Sequence, residues 1–233
     1  MTTLLLFGFL IGMRHALEAD HLAAVAAIST KEHSLKASIK HGAIWGLGHT
    51  TTLFLFGSMV ILLNTVISET MADRLELAVG IMLVILGIDV LRRMIKERIH
   101  YHTHRHDDAQ VHFHAHSHKG DKKHDESEHN HNHAPFPYRT LFIGFMHGLA
   151  GSAALILLTL NTLESVPLSM VYILLFGVGS IAGMALLSMV IAVPLRASRK
   201  LTWLHNGLQI SIGILTVGLG TSIIFQSTIW TSV

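Results

Sequence analysis

Between Arg14 and His21 the chain reads Arg-His-Ala-Leu-Glu-Ala-Asp-His, five ionisable side chains in eight positions, inside a run otherwise apolar from Leu4 to Ile28. Neutral imidazoles and carboxylates are the ligand types that borderline divalent metals accept, so His15, Glu18, Asp20 and His21 are candidate metal ligands. Two further segments put imidazole at comparable depth in apolar surroundings: Gly48-His49-Thr50-Thr51-Thr52, and His147-Gly148-Leu149-Ala150-Gly151-Ser152. His49 and His147 therefore join the candidate set. Arg14 and Glu18 have the i, i+4 spacing of a helical ion pair, which is the expected role of Arg14. Asp89 stands one turn before Arg92 and Arg93 and is expected to pair with them.

A helix turning about 100° per residue sets Glu18 near −60°, His21 near −120° and Asp20 near +140° from His15. A straight helix cannot aim His15, Asp20 and His21 at one point. The helix is expected to widen or break here, as helices do at ion sites in transporters.

The elements that must position these groups are membrane helices. Of the 233 residues 50% are hydrophobic and 14% charged, and the mean hydropathy is +0.49. Apolar runs recur at about 4–28, 42–65, 76–92, 139–160, 169–194 and 204–226, each long enough to cross a bilayer. The first is expected to be retained, because no basic stretch precedes it as in a signal peptide. Lys31, Lys36 and Lys40, the basic residues from Arg92 to Arg139, and Arg196, Arg199 and Lys200 fall on one side, against Arg74 on the other. The positive-inside rule then makes the protein multi-pass in the cell membrane, with both termini outside and the middle loop cytoplasmic. A pI near 9.0 follows from that rule, so no nucleic-acid partner is implied. With no cysteine, a metal must be held by imidazole, carboxylate, thioether or backbone.

The two halves resemble one another in order. Gly12-Met13-Arg14-His15-Ala16-Leu17 lies over Gly144-Phe145-Met146-His147-Gly148-Leu149, Gly46-Leu47-Gly48-His49 over Gly177-Val178-Gly179-Ser180, and the pair Gly80 and Gly87 over Gly213 and Gly220. Three spans per half give an inverted repeat. The expected fold is thus all-α: six transmembrane helices as a 3+3 inverted repeat, at least one of them broken near the metal site. Residues 1–94 form the first half, 95–138 a loop and 139–233 the second half.

The loop holds His100, His102, His104, His106, His112, His114, His116, His118, His124, His129, His131 and His133. Without apolar periodicity it is expected to be disordered in the absence of ligand. Its His-x-His pairs and nearby acids suit capture of Ni²⁺, Co²⁺, Zn²⁺ or Cu²⁺.

The run from Arg14 to His21 with Leu22-Ala23-Ala24-Val25 resembles the H-x4-D-H signature of the nickel/cobalt transporter family. Leu47-Gly48-His49-Thr50 resembles that family's second motif. The resemblance covers mainly the first two spans, and the histidine-rich loop parallels the metal-efflux branch of the wider superfamily. It implies that His15, Asp20, His21 and His49 select the metal. The family's importers have eight spans and an acidic, Thr-rich motif in the second half; this chain has six and His-Gly-Leu-Ala-Gly-Ser-Ala-Ala-Leu.

The expected activity is secondary transport of Ni²⁺ or Co²⁺, with Zn²⁺ a third candidate, between the first, second and fourth spans. No phosphate-binding GxxxxGK[ST] loop is present, so ATP hydrolysis is not expected. Two other classes compete: an intramembrane serine protease using Ser152 and His205, and a metal-binding accessory protein for urease or hydrogenase assembly that transports nothing. Partners are the divalent ion, the lipid bilayer and a candidate cytoplasmic metallochaperone; oligomeric state is left open.

Overall fold

The computed structural model describes residues 2–32, 34–63, 68–96, 100–105, 111–116, 137–149 and 165–230. Helices α1 (Thr2–His15), α2 (Ala19–Ser29), α3 (Leu35–Leu63) and α4 (Glu69–Lys96) are followed by strands β1 (His100–Arg105) and β2 (Val111–His116). Then come α5 (138–149), α6 (Val166–Ala197), a 3₁₀ turn at Ser198–Lys200, and α7 (Thr202–Trp230). Their starts follow local chemistry. Ser34 Oγ accepts the Ala37 N–H at 3.0 Å and Ser68 Oγ accepts the Met71 N–H at 3.4 Å, capping α3 and α4. Pro167 sits in the first turn of α6, where a missing N–H costs nothing.

Ala, Leu and Glu are good helix formers, yet the chain leaves helical geometry after His15. Glu18 is extended, with φ −63° and ψ 149°, and α2 restarts at Ala19. The acid at Asp20 explains the restart. Its Oδ1 accepts the His21 N–H at 2.9 Å in the first turn of α2, where the helix dipole favours negative charge. The break also removes the i, i+4 geometry on which an Arg14–Glu18 pair depends: Glu18 bonds His15 instead, and Arg14 is exposed.

Among the described residues three helices are long and apolar enough to cross a membrane by length and composition: Leu35–Leu63, Val166–Lys200 with its 3₁₀ turn, and Thr202–Ser227. The span expected over 76–92 belongs to a longer helix, α4, which carries charge at both ends. Outward-facing Leu55, Ile85, Val193, Leu215 and Phe225 leave a broad apolar surface, as a lipid-facing wall requires. Inside, Val25, Trp45, Leu83, Val90 and Met184 form the main core, with Leu53, Ile173 and Phe176 in a second cluster.

Helix α3 packs on α6, α1 on α6 and α4 on α7. The backbones touch in exchanged pairs. A side chain at Gly12 would overlap the Phe176 carbonyl, and one at Gly144 the Trp45 carbonyl. Gly179 meets the Phe9 carbonyl as Gly48 meets that of Leu141, and Gly80 meets the Gly220 carbonyl as Gly87 meets that of Gly213. Small residues at such contacts let membrane helices approach closely enough for dispersion to hold them.

One end of the bundle is strongly basic. Asp89 lies 2.7 Å from Lys31 Nζ, 3.5 Å from Arg139 and 3.7 Å from Arg93, so its partners come from three elements; the expected pairing with Arg92 is replaced by Lys31 and Arg139, which only the fold brings near. Arg93 also donates to Thr30 Oγ1, and Arg199 to the Glu32 carbonyl. At the same end His41 Nδ1 is 2.8 Å from Thr140 Oγ1, joining α3 to α5.

Within the histidine-rich loop, β1 and β2 pair antiparallel rather than lacking regular structure. Strict alternation supplies the reason: a period of two is a strand pattern, and the register sets His100, His102 and His104 opposite His116, His114 and His112. His106, His118, His124, His129, His131 and His133 lie outside the described residues.

Gly144→Leu should drive α5 off α3, and overpacking of this kind costs about 1–3 kcal/mol or more. Nothing lies within 4 Å of a Cβ at Gly218, so Gly218→Ala should be neutral. Thermal unfolding of purified protein in detergent, followed by size exclusion, is the check; equal midpoints for the two variants would contradict this packing.

Candidate metal centre

The break between α1 and α2 re-aims three side chains. His15, at the end of α1, and Asp20 and His21, at the start of α2, now face one region, and His49 from the middle of α3 and His147 from α5 meet them there. His21, His49 and His147 are fully buried, at 0%, 0% and 1% exposure. Four imidazoles thus pack in sequence, with ring centroids of His21 4.3 Å from His15, 4.9 Å from His49 and 4.4 Å from His147.

Asp20 organises the cluster. Its Oδ1 lies 2.9 Å from His21 Nδ1 and its Oδ2 2.9 Å from His147 Nε2, so one carboxylate holds an imidazole from each half of the chain. A carboxylate accepts and does not donate, so the protons sit on His21 Nδ1 and His147 Nε2. The opposite nitrogens, His21 Nε2 and His147 Nδ1, are then bare lone pairs. Both are buried without a hydrogen-bond partner among the described residues, as is His49 Nδ1. A buried polar atom left unpaired costs about 1–3 kcal/mol, so three in one cluster need a reason.

His15 repeats the arrangement. Its Nδ1 lies 2.8 Å from Glu18 Oε1 and its Nε2 faces His49 Nε2 at 3.2 Å. Carboxylate on one ring nitrogen with the other turned inward is how metal-ligating histidines are held and made more basic. The separation fits as well. Two nitrogens about 2.0–2.1 Å from one ion at a tetrahedral angle stand about 3.3 Å apart. Two groups have ligand atoms that all lie within 4.8 Å of one another: His15, His21 and His49, and Asp20, His21 and His147. The first closes on a single ion with side-chain rotation alone, while in the second Asp20 meets His21 and His147 through the nitrogens that carry their protons.

Of the six candidates, five converge directly, while Glu18 touches the cluster only through His15 and is itself 57% exposed. Ser152 lies outside the described residues, and the His205 Nδ1 lies 3.0 Å from Ser198 Oγ.

Two aromatic walls were not anticipated from the motifs. Trp45, fully buried, stands one turn before His49 on α3; its ring centroid is 5.4 Å from His21 and 5.2 Å from His147. Phe176 on α6 lies 5.2 Å from His15. The signal was present in the internal alignment: setting Gly46 over Gly177 also sets Trp45 over Phe176. Thr50 Oγ1 donates to the Gly177 carbonyl at 3.0 Å and Thr52 Oγ1 to that of Phe145 at 3.1 Å, tying α3 to α6 and α5 beside the histidines.

Comparison with known proteins agrees with this chemistry. The chain is 37% identical over 219 residues, 93% of its length and 89% of the relative's, to the urease accessory protein UreH of Bacillus sp. (strain TB-90). It is 27% identical over 227 residues to the chloroplast protein FOR GROWTH AND FERTILITY 1 of Arabidopsis thaliana, covering 89% of this chain and 56% of that protein. No solved structure matches. Residues 1–229 match the family described as high-affinity nickel-transport protein, NicO. Family and relatives place the chain among transport and accessory proteins, not enzymes. A buried imidazole cluster in an apolar helical bundle, and a match along almost its whole length, make this chain a membrane protein of the NicO nickel-transport family.

Proposed function

We propose that the protein carries Ni²⁺ or Co²⁺ across the cell membrane as a secondary carrier or facilitator. The ion exchanges water for His15, His21, His49, His147 and Asp20 between the broken first span, α3 and α5. The observation that carries this reading is the convergence of five ligand-type side chains from both halves, with three buried imidazole nitrogens that have no hydrogen-bond partner among the described residues. Neutral imidazoles select by ligand type; Asp20 offsets the dication's charge, and Glu18 holds His15 in its ligating tautomer.

The chain divides into two inverted three-span halves, 1–94 and 139–233, joined by the loop 95–138. Support comes from the exchanged contacts: Gly12 on Phe176 mirrors Gly144 on Trp45, and Gly80 on Gly220 mirrors Gly87 on Gly213, as a pseudo-two-fold axis demands. Rocking of one half on the other then exposes the site to each side in turn. The basic end built by Lys31, Arg93, Arg139 and Arg199 faces the cytoplasm by the positive-inside rule, which puts the loop there and both termini outside. The loop histidines, from His100 to His133, capture metal on that side. Zn²⁺ would also fit the ligand set, and a cytoplasmic metallochaperone would complete delivery.

A dication gains about 4.6 kcal/mol per 100 mV on moving to the negative side, twice the single-charge value. Uncoupled passage therefore runs inward. The name of the UreH relative favours a second reading in which the chain serves assembly of a urease, binding metal in the loop without moving it.

Uptake of radiolabelled nickel into proteoliposomes under an inside-negative potential separates these readings. His15→Ala and Asp20→Ala should each lower uptake to background with membrane insertion intact; near-normal uptake in both would count against the carrier. Deleting residues 100–133 should leave measurable transport, since the loop acts before or after the crossing; a carrier-independent accessory role predicts no transport by the intact protein either.

A further inference from the structure

We propose that Phe176 and Trp45 are the two gates of the ion pathway, one on the outer and one on the inner side of the metal cluster. A second layer backs each gate: Tyr172 against Gly8 outside, and His41 with Thr140 inside. The inference rests on the transport reading above and adds how access to the site is controlled.

Depth follows from the packing of α3 on α6. Thr50 Oγ1 bonds the Gly177 carbonyl, a side chain at Gly46 would meet Ile181, and one at Gly42 would meet Met184 and Ser188, so the two helices run antiparallel. Along that pair the order from the outer end is Phe176, His49, Ser180, Trp45. Phe176 stands level with Thr51, so the rise of six helical residues, about 9 Å, separates it from Trp45. The rings close on the cluster from both ends. Phe176 lies 5.2 Å from the His15 ring, and Trp45 lies 5.4 Å from that of His21 and 5.2 Å from that of His147. Both are buried, at 1% and 0% exposure, so both gates are shut.

The layer behind each ring repeats too. Setting Gly46 over Gly177 sets His41 over Tyr172, and setting Gly12 over Gly144 sets Gly8 over Thr140. Tyr172, one turn beyond Phe176, would stand 3.0 Å from a Cβ on Gly8; His41, one turn beyond Trp45, has its Nδ1 2.8 Å from Thr140 Oγ1. Each gate therefore joins one half to the other, α6 on α1 outside and α3 on α5 inside. As the halves rock, one contact parts while the other holds, and the ion meets one gate at a time. The two differ chemically. Glu32 Oε1 lies 3.2 Å from His41 Nε2 and accepts its proton, which leaves Nδ1 of the neutral ring to accept from the Thr140 hydroxyl. Outside, an aromatic ring rests on a glycine. Opening outward separates a van der Waals contact, whereas opening inward breaks a hydrogen bond.

The chain has no cysteine, so one introduced thiol reports access by itself. Ser180→Cys places it between the rings, where the native side chain is fully buried and its hydroxyl has no hydrogen-bond partner among the described residues. Lys200→Cys, exposed at the basic end, marks that face of the vesicle. Full-length protein in proteoliposomes is treated from either face with a membrane-impermeant thiol reagent. With both rings intact, labelling at position 180 should be slow from both faces. Phe176→Ala should speed it about tenfold or more from the face opposite the basic end and leave the other face slow, and Trp45→Ala should do the reverse. Thr140→Val, which keeps the shape and removes the hydroxyl, should speed labelling from the basic face alone. Phe176→Leu and Trp45→Phe refill the space and should restore protection, which general loosening of the bundle would not. Acceleration from both faces by either Ala variant, or from neither, would overturn the inference. Nickel uptake by the native chain reports the transport reading separately: uptake with labelling indifferent to the rings leaves that reading and removes this one, whereas no uptake removes both.

Discussion

Polar groups placed among apolar helices must find inside the protein what water would otherwise supply, and in this chain the burden falls on the Asp20 carboxylate. It accepts from the His21 main chain and side chain and from His147 across the bundle. An Asp at the centre of a membrane helix costs about 2.5–3.5 kcal/mol on insertion scales, so an acid among apolar helices persists only with partners. Two of those partners are imidazoles whose remaining nitrogens have no hydrogen-bond partner among the described residues. The acid is satisfied and the imidazoles are oriented, which is the arrangement the proposed metal site needs.

The helix break and the glycine contacts follow from that constraint. If α1 continued unbroken through Glu18, His15, Asp20 and His21 would point apart, and Asp20 could not cap the start of α2 while reaching His147. His147 in turn reaches Asp20 because Gly144 lets α5 lie directly on the α3 backbone at Trp45. The same closeness lets the Thr50 and Thr52 hydroxyls bond carbonyls of α6 and α5. Helix packing here sets ligand geometry, and a fraction of an ångström in one moves the other.

Much of this was legible in the residues. The angular conflict among His15, Asp20 and His21 announced a distortion of the first helix, and the glycines aligned between the halves are the ones that meet neighbouring backbones. What stayed hidden depended on distance through space. Asp89 pairs with Lys31 and Arg139 because three elements meet at that end, which local spacing to Arg92 cannot reveal. Arg14 and Glu18 have the spacing of a pair, but the break that the histidines need also removes it. The hairpin of β1 and β2 was hidden for another reason: a polar composition suggests no core, yet alternation of histidine is itself a strand pattern, and cross-strand register pairs histidine with histidine. Trp45 and Phe176 carry no polar atom suited to metal, so only their mirrored places in the two halves single them out.

The central claim, that buried imidazoles of both halves surround the transported ion, is tested most directly by X-ray absorption at the nickel edge. The sample is nickel-loaded full-length protein with its loop histidines replaced. The account predicts the multiple-scattering pattern of two or more imidazoles, lost when His21 is changed to Ala. A first shell of oxygen alone, or a spectrum indifferent to His21, would contradict it.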